Sequence, residues 1–164
     1  MADKLVVAIL GHKNAGKSST WYELFGEAVR TGQSTRTLYL TKSHYIEEVF
    51  LVNGSPEERD ESIVQIIGDQ QPKVVLCSTQ YVGENETLQY FIANGYDLYV
   101  QWLNPGYKDQ EEYEDELDFV DYLLNAGATL AQRDGTLPLD DRVKEIRQYI
   151  FGWASARNLI NMDF

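Results

Sequence analysis

Apolar runs of strand length alternate with stretches of helical spacing along the chain. "KLVVAIL", residues 4–10, predicts a first strand. Trp21, Leu24, Phe25 and Ala28 follow at the i, i+3, i+4, i+7 spacing of a helix face. "TRTLYLT" predicts a second strand and "EEVFLVNG" a third, with a turn at Asn53-Gly54; this third segment either pairs antiparallel or belongs to an insertion on the substrate side. In "SPEERDESIVQIIG", Ser55 and Glu58 have capping-box spacing, Pro56 takes the first helical position and Gly68 closes the end, so one helix is expected.

"KVVLCSTQ" is almost continuously apolar, the mark of a strand covered on both faces of a parallel sheet. A helix over "ENETLQYFIANG" and a strand over "YDLYVQWL", stopped by "NPG", come next. An acidic helix is expected over about Glu111 to Leu124, then a short edge strand at "ATLAQRD" and a terminal helix in "LPLDDRVKEIRQYIFGWASARNL". Strands alternating with helices of this length imply crossover units. The expected fold is one α/β domain over residues 1–164, a three-layer αβα sandwich on a mainly parallel sheet of five or six strands.

Composition narrows the function classes. The net charge of −12 argues against a nucleic-acid partner, which calls for a basic face. No apolar run is long enough to span a bilayer, and the apolar stretch of "MADKLVVAIL" is too short for a signal sequence. A cytoplasmic location away from membranes is therefore expected. The lone cysteine, Cys77, lies in an apolar run and is expected to be a buried structural thiol.

The candidate chemistry is in "GHKNAGKSST", Gly11 to Thr20, between the first strand and the first helix. Gly11 and Gly16-Lys17-Ser18 match G-x-x-x-x-G-K-[ST]. Glycines at those positions let successive N–H groups point into one concavity, and the helix N-terminus adds its unpaired N–H groups and dipole. The chain here resembles the P-loop NTPases over its strand–loop–helix unit. That resemblance implies the P-loop NTPase fold, ATP or another nucleoside triphosphate as ligand, and Mg²⁺ beside the Ser18 hydroxyl. Lys17 would reach the β- and γ-phosphates. Gly11, His12, Lys13, Asn14, Ala15, Gly16 and Ser19 would form the surrounding cradle, with Thr20 just inside the helix.

A guanine-reading N-K-x-D and a D-x-x-G switch are both missing. "VVLCSTQ", "LYVQWLNP" and "QRDGTLPLDDRVKEI" are similar to segments of the small P-loop kinases, the group of nucleoside monophosphate and gluconate kinases. This second resemblance implies that Arg133, Asp134 and Gly135 lie beside the base. Arg59 on the acceptor side and Arg133 or Arg142 near the nucleotide are the candidate catalytic arginines, with Lys17. Lys42, Ser43 and His44, after the second strand, and Ser78, Thr79 and Gln80, after "KVVLC", are candidates at the ligand edge of the sheet.

Two functions stay open. One is a kinase-like phosphotransferase that moves the γ-phosphoryl of Mg-ATP to a small acceptor such as a nucleotide. The other is an NTP-binding or slowly hydrolysing switch, whose acidic, tyrosine-containing segment 107–122 would meet a protein partner. Carboxylates crowd that segment, where such kinases carry lid arginines, so a phosphate clamp is not expected there.

Overall fold

A computed structural model describes residues 2–31 and 34–163. Thirteen elements follow in chain order: β1 (Leu5–Gly11), α1 (Lys17–Phe25), β2 (Arg36–Tyr39), β3 (His44–Val52), α2 (Pro56–Arg59), α3 (Ile63–Ile67), β4 (Val74–Gln80), α4 (Glu86–Ala93), β5 (Asp97–Leu103), α5 (Phe119–Asn125), β6 (Thr129–Arg133), α6 (Asp140–Ser155) and β7 (Asn161–Met162). The chain is α/β with a mixed, mostly parallel sheet in the order β2-β3-β4-β1-β5-β6. β3, β4, β1, β5 and β6 run parallel, while β2 and the two-residue β7 pair antiparallel with β3.

β1 is buried along its whole length because strands flank it on both sides and helices cover both faces. Its alternating side chains feed two separate cores. Leu5, Val7 and Ile9 pack with Trp21 and Leu24 of α1 and with Val143, Ile146 and Ile150 of α6. Val6, Ala8 and Leu10 pack with Ile63 and Ile67 of α3, Leu88 and Phe91 of α4, and Phe119 and Leu123 of α5. The chain therefore leaves β1 toward one face and leaves the neighbouring β4 and β5 toward the other. Such a reversal opens a crevice beyond the carboxyl ends of these strands, where open α/β sheets take ligands.

Four local expectations change. "SPEERDESIVQIIG" forms two short helices, because Asp60 turns left-handed at φ 54° and ends α2. The capping box belongs to Ser62 and Gln65 of α3; Ser55 makes no side-chain cap, which frees Glu58 for another partner. The acidic helix expected over Glu111–Leu124 is only Phe119–Asn125. Upstream of it Tyr113 is tied by two hydrogen bonds to Asn104, and Asp115 accepts from the N–H groups of Phe119 and Val120, so the acidic run is an ordered loop. Finally, β2 runs antiparallel to β3, so Lys42, Ser43 and His44 lie at the amino end of β3, on the edge opposite the crevice.

The loops after β1, β5 and β6 are clasped by backbone contacts. Tyr107 N donates to Ala15 O at 2.9 Å and Gly135 N to Pro105 O at 2.7 Å. Ala15 is wedged between glycines: a Cβ on Gly106 would stand 2.7 Å from Ala15 Cβ and 3.0 Å from Ala15 Cα. Gly106→Ala is expected to lower the stability of the protein by about 1–3 kcal/mol through overpacking. Denaturant unfolding checks this, and an unchanged midpoint would show that the three loops are not locked together.

Candidate functional site

The crevice beyond β1 is built around the loop from Gly11 to Lys17. Asn14 and Gly16 take left-handed backbone angles, φ 64° and 97°, and turn the chain sharply into α1. Glycine adopts that region without strain and asparagine tolerates it better than most residues. The first-turn N–H groups of the nine-residue α1 have no acceptor inside their own helix and are available at its amino end. A cavity of about 270 Å³ lies there, lined by residues 14–19 with Glu58, Tyr107 and Lys108. A second cavity, about 490 Å³, adjoins it. It shares Gly16, Ser19 and Tyr107, then continues along Gly135, Leu137 and Arg142.

Lys17 is 6% exposed. Its Nζ donates to Gly11 O at 3.0 Å, His12 O at 2.8 Å and Glu58 Oε1 at 3.2 Å. Burial pushes the ammonium below its ordinary range, and the facing Glu58 carboxylate opposes that shift. Thr20 bonds inward: its hydroxyl donates to Gly16 O and accepts from Arg142 Nη1 at 3.0 Å. Arg142 is itself buried at 4% exposure, held also by Gln101 Oε1, and its Nε has no hydrogen-bond partner among the described residues. Burial lowers its pKa to about 10, so it remains a cation at neutral pH beneath the start of α1.

The expected site residues separate into two groups. Asn14, Ala15, Gly16, Lys17, Ser18 and Ser19 all line the first cavity, and Gly135 lines the second. His12 points elsewhere, its ring packed against Tyr81 and Tyr113, and Lys13 is exposed. Arg59 and Arg133 line neither cavity. Arg59 donates to Thr31 Oγ1 and pairs with Glu61, while Arg133 pairs with Glu145 of α6 at 2.9 Å. Asp134 is occupied by Thr136, whose N–H and hydroxyl both donate to it. At the end of β4, Trp21 Nε1 donates to Ser78 Oγ at 2.8 Å, while Thr79 Oγ1 and Gln80 N donate to Glu57 at 2.7 and 2.6 Å.

Three residues of the first cavity were not among the expected nucleotide-site residues. Glu58 carried a helix-cap signal, whereas Tyr107 and Lys108 belong to the segment 107–122 expected to meet a protein partner. The single lysine of the acidic segment lines the cavity. Its carboxylates do not: Asp109 accepts from Gly106 N, Asp115 accepts from the Tyr81 hydroxyl and from Phe119 and Val120 N–H, and Glu111, Glu112, Glu114 and Glu116 are exposed. Compared with protein-family models, with curated proteins and with solved structures, the chain matches none.

Asp115 orders the wall beside Tyr113. Burial pushes its carboxyl up, but hydrogen bonds from the Tyr81 hydroxyl and from Val120 and Phe119 N–H outweigh this and hold it below the usual range. A folded pKa below the unfolded one stabilises at pH values above the unfolded pKa, and that gain is lost as pH falls through the folded one. Asp115→Asn should cost about 1–2 kcal/mol at pH 7, with the gap to wild type closing below about pH 4. Denaturant midpoints across pH check this; a gap that stays constant would contradict a role for the charge.

Proposed function

We propose that the chain is a nucleoside-triphosphate-binding protein of the P-loop type. Its phosphates occupy the cavity of residues 14–19, and its base side extends toward Gly135 and Leu137. The observation that supports this most is the Lys17 ammonium. It is oriented by two loop carbonyls beside the amino end of α1, so fixed N–H groups and a cation converge on one anion-sized space. Mg²⁺ keeps several of its waters and takes few protein ligands, so the exposed Ser18 hydroxyl on the cavity wall suits it. When bound, the metal would neutralise phosphate charge. The chain's own groups hold the phosphates, orient the lysine and close the loop beneath Tyr107.

We favour slow hydrolysis or switching over phosphoryl transfer. Transfer enzymes place arginines on the moving phosphoryl group. Here Arg59 and Arg133 are paired with carboxylates outside the cavity, and its cationic lining is Lys17 and Lys108. One observation favours the kinase reading. A third cavity, about 420 Å³, lies across α2 from the first, lined by Glu57, Asp60, Glu61, Glu84 and Glu86 among others; it would suit a cationic acceptor better than a nucleotide.

Saturating Mg-ATP should raise the melting temperature by about 5–10 °C, by mass action on the native state, and Lys17→Ala should remove the shift. No shift with any nucleoside di- or triphosphate would contradict the proposal. With γ-labelled ATP, label released as free phosphate or left on ATP supports the switch, whereas label on an organic acceptor establishes the kinase.

A further inference from the structure

The ammonium of Lys17 has three protons, and all three are committed: to Gly11 O, to His12 O and to Glu58 Oε1. The two carbonyls belong to the same loop and fix the direction of the side chain. The third partner comes from α2, 41 residues away in sequence, and it lines the same cavity as the loop. A phosphate that is to touch Lys17 must therefore take the place of a carbonyl or of Glu58. The carbonyls are part of the loop backbone. The carboxylate is the movable group.

We infer that Glu58 is a built-in competitor of the ligand's phosphate for Lys17, and thereby sets both the affinity of the site and its preference for highly charged phosphate chains. This inference rests on the nucleotide reading of the site. Glu58 offers Lys17 what a phosphate oxygen would offer it. It presents an anion to the buried ammonium and offsets the cost of burying that charge. Its own side chain is 30% exposed, so the pair is of the partly screened kind that a stronger anion can displace.

The neighbouring residue determines what moves. The Glu57 carboxylate accepts from Thr79 Oγ1, from Gln80 N and from Thr87 Oγ1, which ties α2 to the end of β4 and the start of α4. Pro56 is buried beside it. With α2 anchored in this way, displacement swings the Glu58 side chain and leaves its helix in place. A carboxylate left beside the phosphates repels them, so a ligand must bring enough charge, or a metal, to hold the site open. A single phosphate does this poorly and a diphosphate or triphosphate does it well.

The test is calorimetric binding of inorganic phosphate, pyrophosphate, ADP and ATP to wild type, Glu58→Gln and Lys17→Ala, with and without Mg²⁺. Glu58→Gln keeps a hydrogen-bond acceptor for Lys17 but removes the competing charge, and Glu57 still anchors α2. It should bind metal-free ADP and ATP about three- to tenfold more tightly than wild type. The gain should be smaller with Mg²⁺, and the preference for pyrophosphate over phosphate should narrow. A supporting side chain does not behave in this way, since its loss weakens binding. If wild type binds ADP, Lys17→Ala does not, and Glu58→Gln binds equally or more weakly, the competitor is refuted while the nucleotide site stands. If neither wild type nor Glu58→Gln binds any of these ligands, both are refuted.

Discussion

Three loops leave the carboxyl ends of β1, β5 and β6, and hydrogen bonds between their backbones hold them as one surface. Ala15 O accepts from Tyr107 N, and Pro105 O accepts from Gly135 N. Small residues make this approach possible. Side-chain atoms at Gly106 or Gly135 would meet the backbone of a neighbouring loop at about 3 Å, and the buried Ala15 fills the space between. The consequence reaches the site directly. With the loop pinned from outside, Asn14 and Gly16 keep their left-handed turns, α1 starts at Lys17, and the lysine folds back onto the Gly11 and His12 carbonyls.

The electrostatics follow from what that clasp holds. The chain carries a net charge of −12, yet the space at the start of α1 is bordered by Lys17 and Lys108, with the buried Arg142 beneath it. The acidic segment that gives the protein much of its charge turns its carboxylates to solvent, to its own backbone or, for Asp115, also to the Tyr81 hydroxyl. A local field of opposite sign to the whole molecule needs only a few cations and aligned N–H groups. The ion pair of Lys17 with Glu58 completes this balance.

Much of the fold was legible because short-range signals and tertiary packing agree. The apolar run of β1, the helix in "ENETLQYFIANG" and the long α6 each follow from local pattern, and the structure bears them out. So does the alternation that implied a mostly parallel sheet. The loop residues 14–19 were legible for the same reason, since spacing and flanking elements both belong to one stretch of chain. Glu58 was not. Its spacing from Ser55 suggests a helix cap, and only the fold reveals that Lys17 is its partner. The acidic run misled differently. Helical spacing was present, but Asn104 holds Tyr113 and Asp115 caps the next helix, contacts that no local pattern displays. The strand β2 shows a third kind of gap: its existence was readable, whereas its direction, which sends Lys42, Ser43 and His44 to the far edge, depends on its pairing with β3.

The central claim is that the cavity at the start of α1 receives the phosphates of a nucleotide. Titrating the ¹⁵N-labelled protein with Mg-ADP and following every backbone amide tests it most directly. The account predicts that the largest shifts fall on residues 14–19, with smaller ones at Tyr107 and Lys108 and little change at the Arg59 and Arg133 ion pairs. Shifts confined to the acidic cavity between α2 and α4, or a spectrum unchanged at millimolar nucleotide, would contradict it.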